Sequence, residues 1–244
     1  MLQFFSFGII LLMQCGQKPK GQVKIKWSSE FAYAIGLLVS DGCLSKDGLH
    51  ITFSSKEKRQ IFNFKKCLGL KSKIGKNFSG AGNLSYRVQF GDVLFYKFLQ
   101  EIGLSPAKSK TISEVSVPKK YFFDYLRGYF DGDGCTYSFF DSVWKKSYRF
   151  YLSFASASIS HLEWLRKKLN IYTGVVGSIS RNSNHPSSIQ LRYSKHEALL
   201  IVKKMYYCDK LVCLKRKRLK IDKSLNIIKS CRSGVIGKRA TFRS

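Results

Sequence analysis

Acidic side chains are scarce in this chain, which has 15 aspartates and glutamates against 43 lysines and arginines and a formal net charge of +28. Such an excess of positive charge would repel itself in a compact fold unless a polyanion compensates it. Nucleic acid is the polyanion we expect, because lysine and arginine neutralise its phosphates and release counterions. The hydrophobic content of 44% indicates a globular protein rather than a disordered chain.

A zinc-binding cysteine spacing is also lacking. The seven cysteines include no C-x-x-C pair and their number is odd, which favours reduced thiols over a zinc site. Reduced thiols are typical of a reducing compartment. We therefore expect the protein in the cytoplasm or in another reducing, DNA-containing compartment such as an organelle matrix. The histidines show no ligand spacing, and His161 and His196 are expected on the surfaces of predicted helices.

No apolar run is long enough to cross a membrane. The first 15 residues are apolar, but a span needs about 20 such residues. No basic residues precede the run, as they would in a secretory signal. We expect residues 1–27 to form an apolar leader and a basic arm outside the fold, and we expect no membrane partner.

Two similar runs are the most informative feature that is present, Ala34–Gly42 and Leu126–Gly134. Each predicts an apolar helix that has two small residues four positions apart and ends in Asp-Gly. The matching positions are Gly36, Ser40 and Asp41 in the first run and Gly128, Gly132 and Asp133 in the second. Residues four apart share one face of a helix, so small side chains there would let the two helix backbones approach closely.

The elements around the two runs repeat in the same order, which indicates an internal duplication of about 100 residues per half. Hydrophobic periodicity predicts the order αββαββα in each half. The predicted fold class is α+β. The predicted organisation is a first half over 28–104, a linker over 105–118, a second half over 119–210, and a basic C-terminal helix and tail over 211–244.

The two helix-end aspartates predict a metal site. If the small-residue faces meet, Asp41 and Asp133 lie together at helix C-termini, where the macrodipole is negative and exposed carbonyls add oxygen ligands. We expect the carbonyls of Gly42 and Gly132 to serve in this way. Adjacent carboxylates repel unless a cation lies between them, and oxygen ligands with open water positions suit Mg²⁺. Such ions activate water and stabilise the leaving oxygen of a phosphodiester.

The strands predict a polar surface suited to duplex DNA. Their apolar phase would pack on helices, and the opposite phase offers side chains that match base edges in the major groove, arginine to guanine and glutamine to adenine. An outer polar face is common to antiparallel sheets in general, but this one lacks acids. Neighbouring lysines would contact phosphates. The predicted DNA-binding residues are His50, Thr52, Ser54, Lys73, Lys76, Ser85, Arg87, Gln89, Lys145, Lys146, Arg149, Tyr151, Ser153, Ser178, Ser180, Ser188, Gln190 and Arg192.

The two runs closely resemble the signature of the LAGLIDADG homing endonucleases, most specifically at Leu126–Gly134, and the similarity in motif and element order covers about residues 28–222. The first copy departs from the signature at Val39 and Ser40 but keeps its final aspartate. The resemblance implies a monomer with two pseudo-symmetric halves, saddle-shaped antiparallel sheets lying on DNA, and two packed central helices. It further implies two or more divalent ions at the base of those helices and cleavage of both strands of a long specific site, which spreads introns or inteins.

The resemblance also implies a basic residue after the third helix of each half that polarises the site or its waters. By position the candidates are Lys108 or Lys110 in the first half and Lys215 or Lys217 in the second. We assign the first lysine of each pair, so the predicted catalytic set is Asp41, Asp133, Lys108 and Lys215.

Three functions fit this sequence. The first is a Mg²⁺-dependent, site-specific endonuclease of double-stranded DNA. The second is a maturase on the same fold that binds intron RNA and need not cut. The third is a DNA-binding protein without cleavage, which could lose either aspartate without penalty. Both aspartates are present, which favours cleavage.

Overall fold

The structure, a computed structural model, describes residues 21–78, 82–182 and 185–232. The predicted leader and the first residues of the predicted arm lie outside these ranges. The end of the arm packs on the first half, where Val23 is 7% exposed and donates its backbone N–H to Asp92 at 2.8 Å. Side chains are not described for 182–188 and 232, so the side chain predicted at Ser188 lies outside the description as well. No helix in the described ranges combines the length and apolarity needed to cross a membrane.

The first half contains seven elements in the predicted order αββαββα. They are α1 (Ser29–Asp41), β1 (Gly42–Leu44), β2 (His50–Ser55), α2 (Lys58–Leu68), β3 (Gly75–Phe78), β4 (Leu84–Gly91) and α3 (Val93–Glu101). The four strands form one antiparallel sheet in the order β1-β2-β4-β3.

The second half repeats that order after a 3-10 turn at Lys119–Tyr121. Its elements are α4 (Phe122–Asp133), β5 (Gly134–Phe140), β6 (Tyr148–Ser156), α5 (Ile159–Thr173), β7 (Ser178–Asn182), β8 (His185–Tyr193) and α6 (Lys195–Met205), followed by a closing helix α7 (Lys215–Arg232). The second sheet has the equivalent strand order β5-β6-β8-β7. The predicted α+β class with two similar halves is confirmed, whereas the predicted domain limits stay a prediction.

Local sequence explains where the first central helix starts. The Ser28 side chain accepts a hydrogen bond from the backbone N–H of Phe31 at 3.1 Å, which caps α1. From Phe31 to Val39 every residue of the helix is buried, because α4, α2 and the first sheet cover it. The helix stops where Gly42 adopts an extended conformation and opens β1.

The two central helices pack with their backbones in contact. A Cβ on Gly36 would lie 2.1 Å from the carbonyl oxygen of Tyr125, and a Cβ on Gly128 would lie 2.0 Å from that of Tyr33. Neither position has room for a side chain. The predicted close approach through small residues is therefore confirmed, and it brings the C-terminal ends of α1 and α4 together.

The apolar phase of each sheet packs on the helices of its own half. Phe53 of β2 stacks against Phe64 of α2 with ring centroids 4.5 Å apart, and Phe154 of β6 meets Phe130 of α4 at 6.1 Å. The opposite phase points away from the helices, and we call it the outer face. On the outer face Thr52 lies between Cys43 and Gln89 in the first sheet, and Ser153 lies between Cys135 and Arg192 in the second.

A buried arginine connects α4 to the end of α6 and to the segment between α6 and α7. Arg127 is fully buried and donates to the carbonyl oxygens of Met205 (2.9 Å) and Val212 (3.0 Å). Its remaining nitrogen pairs with the buried carboxylate of Asp124 at 2.8 Å. The pair thereby stabilises the turn that leads from α6 into α7.

His161 contradicts the sequence prediction of a surface residue. It is 0% exposed, because α5 lies against α4 and against the segment that precedes α4 in the chain. Its Nδ1 is 2.7 Å from the carbonyl oxygen of Ser113, and its Nε2 is 3.4 Å from the Tyr125 hydroxyl. Burial lowers the pKa of His161 to about 4, so the ring is neutral at physiological pH.

Candidate active site and nucleic-acid surface

The carboxylates that end the two central helices lie side by side. Asp41 Oδ2 lies only 2.6 Å from the point that a Cβ on Gly132 would occupy, and Ser40 Oγ is 1.9 Å from that point. Asp41 therefore lies against the last turn of α4 at Gly132, which is the residue before Asp133. The predicted pairing of these two residues follows from the glycine contacts farther up the helices.

Burial makes the charged form of both carboxylates less favourable, and for Asp133 the charge of Asp41 adds to that effect. Desolvation first, and the charge of Asp41 second, raise the pKa of Asp133 to about 6. Desolvation also raises the pKa of Asp41, opposed by a hydrogen bond from the Ser40 hydroxyl at 3.2 Å. Both side chains remain accessible to solvent. Two accessible, mutually repelling carboxylates form a fitting place for a hard divalent cation.

Two lysines cap the ends of the central helices. Lys108 Nζ donates to the carbonyl oxygen of Gly42 at 2.5 Å. Lys217 Nζ donates to the carbonyl oxygens of Phe130 (2.7 Å), Gly132 (2.9 Å) and Gly134 (2.6 Å). Each ammonium group thus lies at the negative end of the macrodipole in its own half. Burial lowers the pKa of both lysines, and the nearby aspartates oppose that shift.

The choice of Lys215 is wrong in position, and Lys217 takes its place. Two residues apart on a helix are separated by about 200°, so only one of these lysines can face the site. Lys217 contacts the end of α4, whereas Lys215 is exposed. In the first half the choice of Lys108 agrees with its contact to Gly42, and Lys110 is exposed.

The carbonyl groups predicted as metal ligands already accept hydrogen bonds from the lysines. Gly42 O accepts from Lys108, and Gly132 O accepts from Lys217. In the described part of the chain no group of three or more His, Cys, Asp and Glu side chains could hold a metal. A bound ion would therefore rely on Asp41 and Asp133, with waters and substrate phosphate oxygens completing its ligands.

Asp131 supports the site from behind. It is 2% exposed, and its Oδ2 accepts from the Tyr33 hydroxyl of α1 (2.7 Å) and from the backbone N–H of Leu214 (2.6 Å). Desolvation raises its pKa to about 6. Leu214 immediately precedes α7, so this bond fixes the start of the helix that carries Lys217. The first half has Val39 at the matching position and lacks this connection.

The outer face of the first sheet is polar, as predicted. Most predicted residues of this half lie on it and alternate with buried apolar neighbours. They are His50, Thr52, Ser54, Ser85, Arg87 and Gln89. His50 is held by Asp47, with Nδ1 and Oδ2 2.6 Å apart. Lys73 is exposed just before β3.

Lys76, predicted to contact phosphates, does not lie on the outer face. It pairs with Tyr86, which alternates with Arg87 and lies on the helix-facing phase of β4. Lys76 is exposed but belongs to the opposite side from Arg87. The reason is the register, because Gly75 rather than Lys76 lies opposite Arg87.

The outer face of the second sheet carries the other predicted residues. Arg149, Tyr151, Ser153, Ser178, Ser180, Gln190 and Arg192 share this phase, and Lys145 and Lys146 are exposed in the turn between β5 and β6. Arg149 pairs with Asp141 at 2.8 Å. Ser153 is only 8% exposed and lies 3.0 Å from the Cys135 sulfur, so it offers little surface for contact.

Sequence reasoning missed two aromatic residues on this face. Tyr137 and Phe139 belong to β5 and lie opposite Tyr151 and Arg149. They are 62% and 38% exposed. The alternation Thr136-Tyr137-Ser138-Phe139 has the period of a strand, but it would assign the aromatic phase to the core, so it could not place these two residues on the outer face.

Comparisons with known proteins identify the fold. Neither a family model nor a curated protein sequence matches the chain. Among solved structures it is similar to the meganuclease I-SmaMI bound to uncleaveable DNA, with 13% identity, a TM-score of 0.56 and coverage of 91% of this chain and 94% of that one. It is also similar to the homing endonuclease I-WcaI bound to its DNA recognition sequence, with 18% identity, a TM-score of 0.51 and coverage of 77% and 88%.

A third similar structure is the N-terminal LAGLIDADG domain of DUF199/WhiA, with 16% identity, a TM-score of 0.51 and coverage of 81% of this chain and 88% of that one. At such low identities the likeness establishes the fold. The chain has the LAGLIDADG fold with two halves, and the resemblance noted from its two motifs is confirmed at that level.

Proposed function

We propose that this protein is a site-specific endonuclease of double-stranded DNA that depends on a divalent metal, with Mg²⁺ as its natural ion. The observation that carries the proposal is the pairing of Asp41 and Asp133 at the joined ends of the central helices, flanked by Lys108 and Lys217. The structures of I-WcaI and I-SmaMI, which share this fold, are complexes with DNA.

The surface around the site supports a duplex substrate. The outer faces of the two sheets carry arginine, glutamine, serine and threonine, and the chain has a net charge of +28. Phosphate neutralisation would supply most of the affinity, and the outer faces would read base edges. One chain already contains both halves, so we propose that it acts as a monomer.

The residues of the site have separable roles in phosphodiester hydrolysis. Asp41 and Asp133 would hold one or more divalent ions, which supply a Lewis acid and a water of lowered pKa. Lys108 and Lys217 place positive charge beside the position where charge develops on the phosphate oxygens. Asp131, through Leu214, positions Lys217. The duplication supplies one aspartate and one lysine for each strand of the duplex.

The cellular setting follows from the same proposal. The cysteines in the described ranges are free thiols, as expected in a reducing compartment. We place the protein where DNA is accessible in such a compartment, the cytoplasm or an organelle matrix. Spread of a mobile intron is the biological role that this activity would serve.

Removing one metal ligand tests the proposal. In Asp133→Asn we expect cleavage of a randomised duplex library to disappear, while affinity for the same duplex stays equal or becomes tighter because one negative charge is lost. Asp209→Asn is the matched control, since Asp209 is exposed in the turn after α6. Cleavage should depend on added Mg²⁺ and stop with EDTA. Cutting by Asp133→Asn at the wild-type rate would refute the assignment.

The two other functions remain alternatives to be tested in the same experiment. A maturase would bind intron RNA, and a non-cleaving regulator would bind DNA, and neither activity requires both Asp41 and Asp133. Binding without any cleavage by the wild-type protein, across metals and sites selected from the library, would favour the regulator. Tighter binding to intron RNA than to duplex DNA would favour the maturase.

A further inference from the structure

The outer faces of the two sheets differ in chemistry. In the second sheet Tyr137 and Phe139 have ring centroids 5.1 Å apart, and Phe139 stacks near Tyr151 at 6.4 Å. We call these three residues the aromatic patch. In the first sheet the described outer face carries no aromatic side chain, and β1 spans only Gly42–Leu44 where β5 spans Gly134–Phe140. The patch thus belongs to an extension that only the second half has.

The extension is supported from its inner side by α7. Lys220 Nζ donates to the carbonyl oxygen of Thr136 at 2.5 Å. The hydroxyl groups of Ser138 and Ser224 are 3.2 Å apart, and Tyr148 donates to Ser224 at 3.4 Å. The inner side of β5 therefore contacts α7 through the Thr136 backbone carbonyl and the Ser138 hydroxyl, and its aromatic side chains remain outside.

The turn of this hairpin is fixed by one aspartate. Asp141 Oδ1 accepts from the backbone N–H groups of Val143 and Trp144, both at 3.0 Å, and its Oδ2 accepts from Arg149 Nε at 2.9 Å. These bonds hold the strands that carry the patch in one geometry. A rigid exposed apolar patch is a binding feature rather than a core feature.

The charges around the patch specify the kind of partner. Arg192 lies over the ring of Tyr151 at 5.7 Å, Arg149 flanks Phe139 on the neighbouring strand, and Lys145 and Lys146 are exposed in the turn. Arg149 already pairs with Asp141, but an apolar protein surface would bring no negative charge to Arg192, Lys145 and Lys146. Nucleic acid offers phosphates to the cations and apolar groups to the rings. In a duplex the apolar group of the major groove is the C5-methyl group of thymine.

We propose that the aromatic patch reads thymine methyl groups, so that the half-site under the second sheet is thymine-rich whereas the half-site under the first sheet is read by hydrogen bonds. The inference rests on the proposed binding of duplex DNA. Tyr137 and Phe139 are the specificity-determining residues. Burial of one methyl group strengthens binding by about fourfold, from ~0.8 kcal/mol per buried carbon group.

The test removes methyl groups from DNA without changing the protein. A binding site is first selected from a randomised duplex library in Ca²⁺ to prevent cutting. Thymine is then replaced by deoxyuridine in one half-site at a time. We expect affinity to fall about fourfold for each contacted methyl group in one half-site, and to be unchanged in the other.

Variants assign that half-site to the patch. In Tyr137→Ser/Phe139→Ser the thymine and deoxyuridine duplexes should bind equally, whereas Phe62→Ser should keep the thymine preference. Phe62 is a matched control because it is 48% exposed on α2.

Three results would distinguish failure of this inference from failure of the proposed function. Intact duplex binding without any methyl effect would overturn the inference and leave the proposed function standing. Absence of duplex binding would overturn both. If the double variant lost affinity for single-stranded RNA and kept its thymine preference, the patch would be a base-stacking platform, and the inference would be wrong.

Discussion

Gly128→Ala is the most informative single substitution for the architecture of the site. In an ordinary helix, alanine in place of glycine stabilises by about 1 kcal/mol, because glycine loses more conformational freedom on folding. At Gly128 the added Cβ would lie 2.0 Å from the carbonyl oxygen of Tyr33 and 2.9 Å from its carbonyl carbon. We therefore expect Gly128→Ala to destabilise the protein rather than to stabilise it.

The magnitude follows from the distance that the helices must move. A Cβ essentially never lies within 3.0 Å of such an atom, so α1 and α4 must separate by about 1 Å at this point. Overpacking of this kind costs about 3 kcal/mol where the contacted atoms are backbone. After the gain in helix propensity, the net loss is about 2 kcal/mol, or roughly 4 to 8 °C in Tm for a chain of this size.

The same displacement reaches the carboxylates. Asp41 and Asp133 lie at the ends of the separated helices, and a shift of about 1 Å in catalytic groups lowers the rate by about 100-fold. The assays are thermal denaturation and the rate of duplex cleavage under saturating protein. Gly75→Ala is the control for stability, since a Cβ there would meet only the Arg87 carbonyl oxygen at an ordinary 3.7 Å. An unchanged or raised Tm in Gly128→Ala would refute the close packing of the central helices.

Three further predictions concern single side chains. Lys217→Met should lower the cleavage rate by about 100-fold, and Lys215→Met should leave it within about twofold; equal effects would refute the assignment of Lys217. Burial lowers the pKa of His161 to about 4, whereas in the unfolded state it is near 6.5, so the unfolded state binds the proton first as the pH falls. The free energy of unfolding should therefore fall by about 2 kcal/mol between pH 7.5 and 5. Urea denaturation of His161→Phe should show a smaller loss over that range. Arg127→Met should cost about 3 to 5 kcal/mol in urea denaturation, since the buried Asp124 carboxylate loses its partner, and Arg127→Met/Asp124→Leu should recover part of that loss.

Local spacing predicted the parts of the site that depend on one helix or one strand. The small residues at Gly36 and Gly128 determined which faces of α1 and α4 meet, and the aspartates at the same ends then had to lie together. Alternation along β2 and β6 assigned side chains to the outer face correctly, because strand geometry leaves only two choices.

The sequence predictions failed where an element distant in the chain determines the environment of a side chain. Lys215 and Lys217 are equivalent by composition, and only the start of α7, fixed by the bond from Leu214 to Asp131, determines which one faces the helix ends. His161 is buried because α5 packs on Tyr125 and Tyr129 of α4, and Ser113, far away in sequence, supplies a carbonyl group to its ring.

The polarity of β5 reverses the usual rule. Thr136 and Ser138 face inward, and Tyr137 and Phe139 face outward. Alternation alone would assign the aromatic phase to the core, since burial of apolar surface is the main driving force of folding. On the inner side α7 brings Ser224 to 3.2 Å from the Ser138 hydroxyl, and Lys220 donates to the backbone carbonyl of Thr136. No local property of β5 contains that information.

The lysines also limit how the site can hold a metal. Lys108 and Lys217 together balance the charges of Asp41 and Asp133, and they occupy the Gly42 and Gly132 carbonyl groups. One divalent ion held by Asp41 and Asp133 would leave a local charge of +2. On the proposed function, a DNA phosphate would supply both negative charge and an oxygen ligand. Metal and duplex should therefore bind cooperatively, because the phosphate compensates the charge of the ion and the ion compensates the charge of the phosphate.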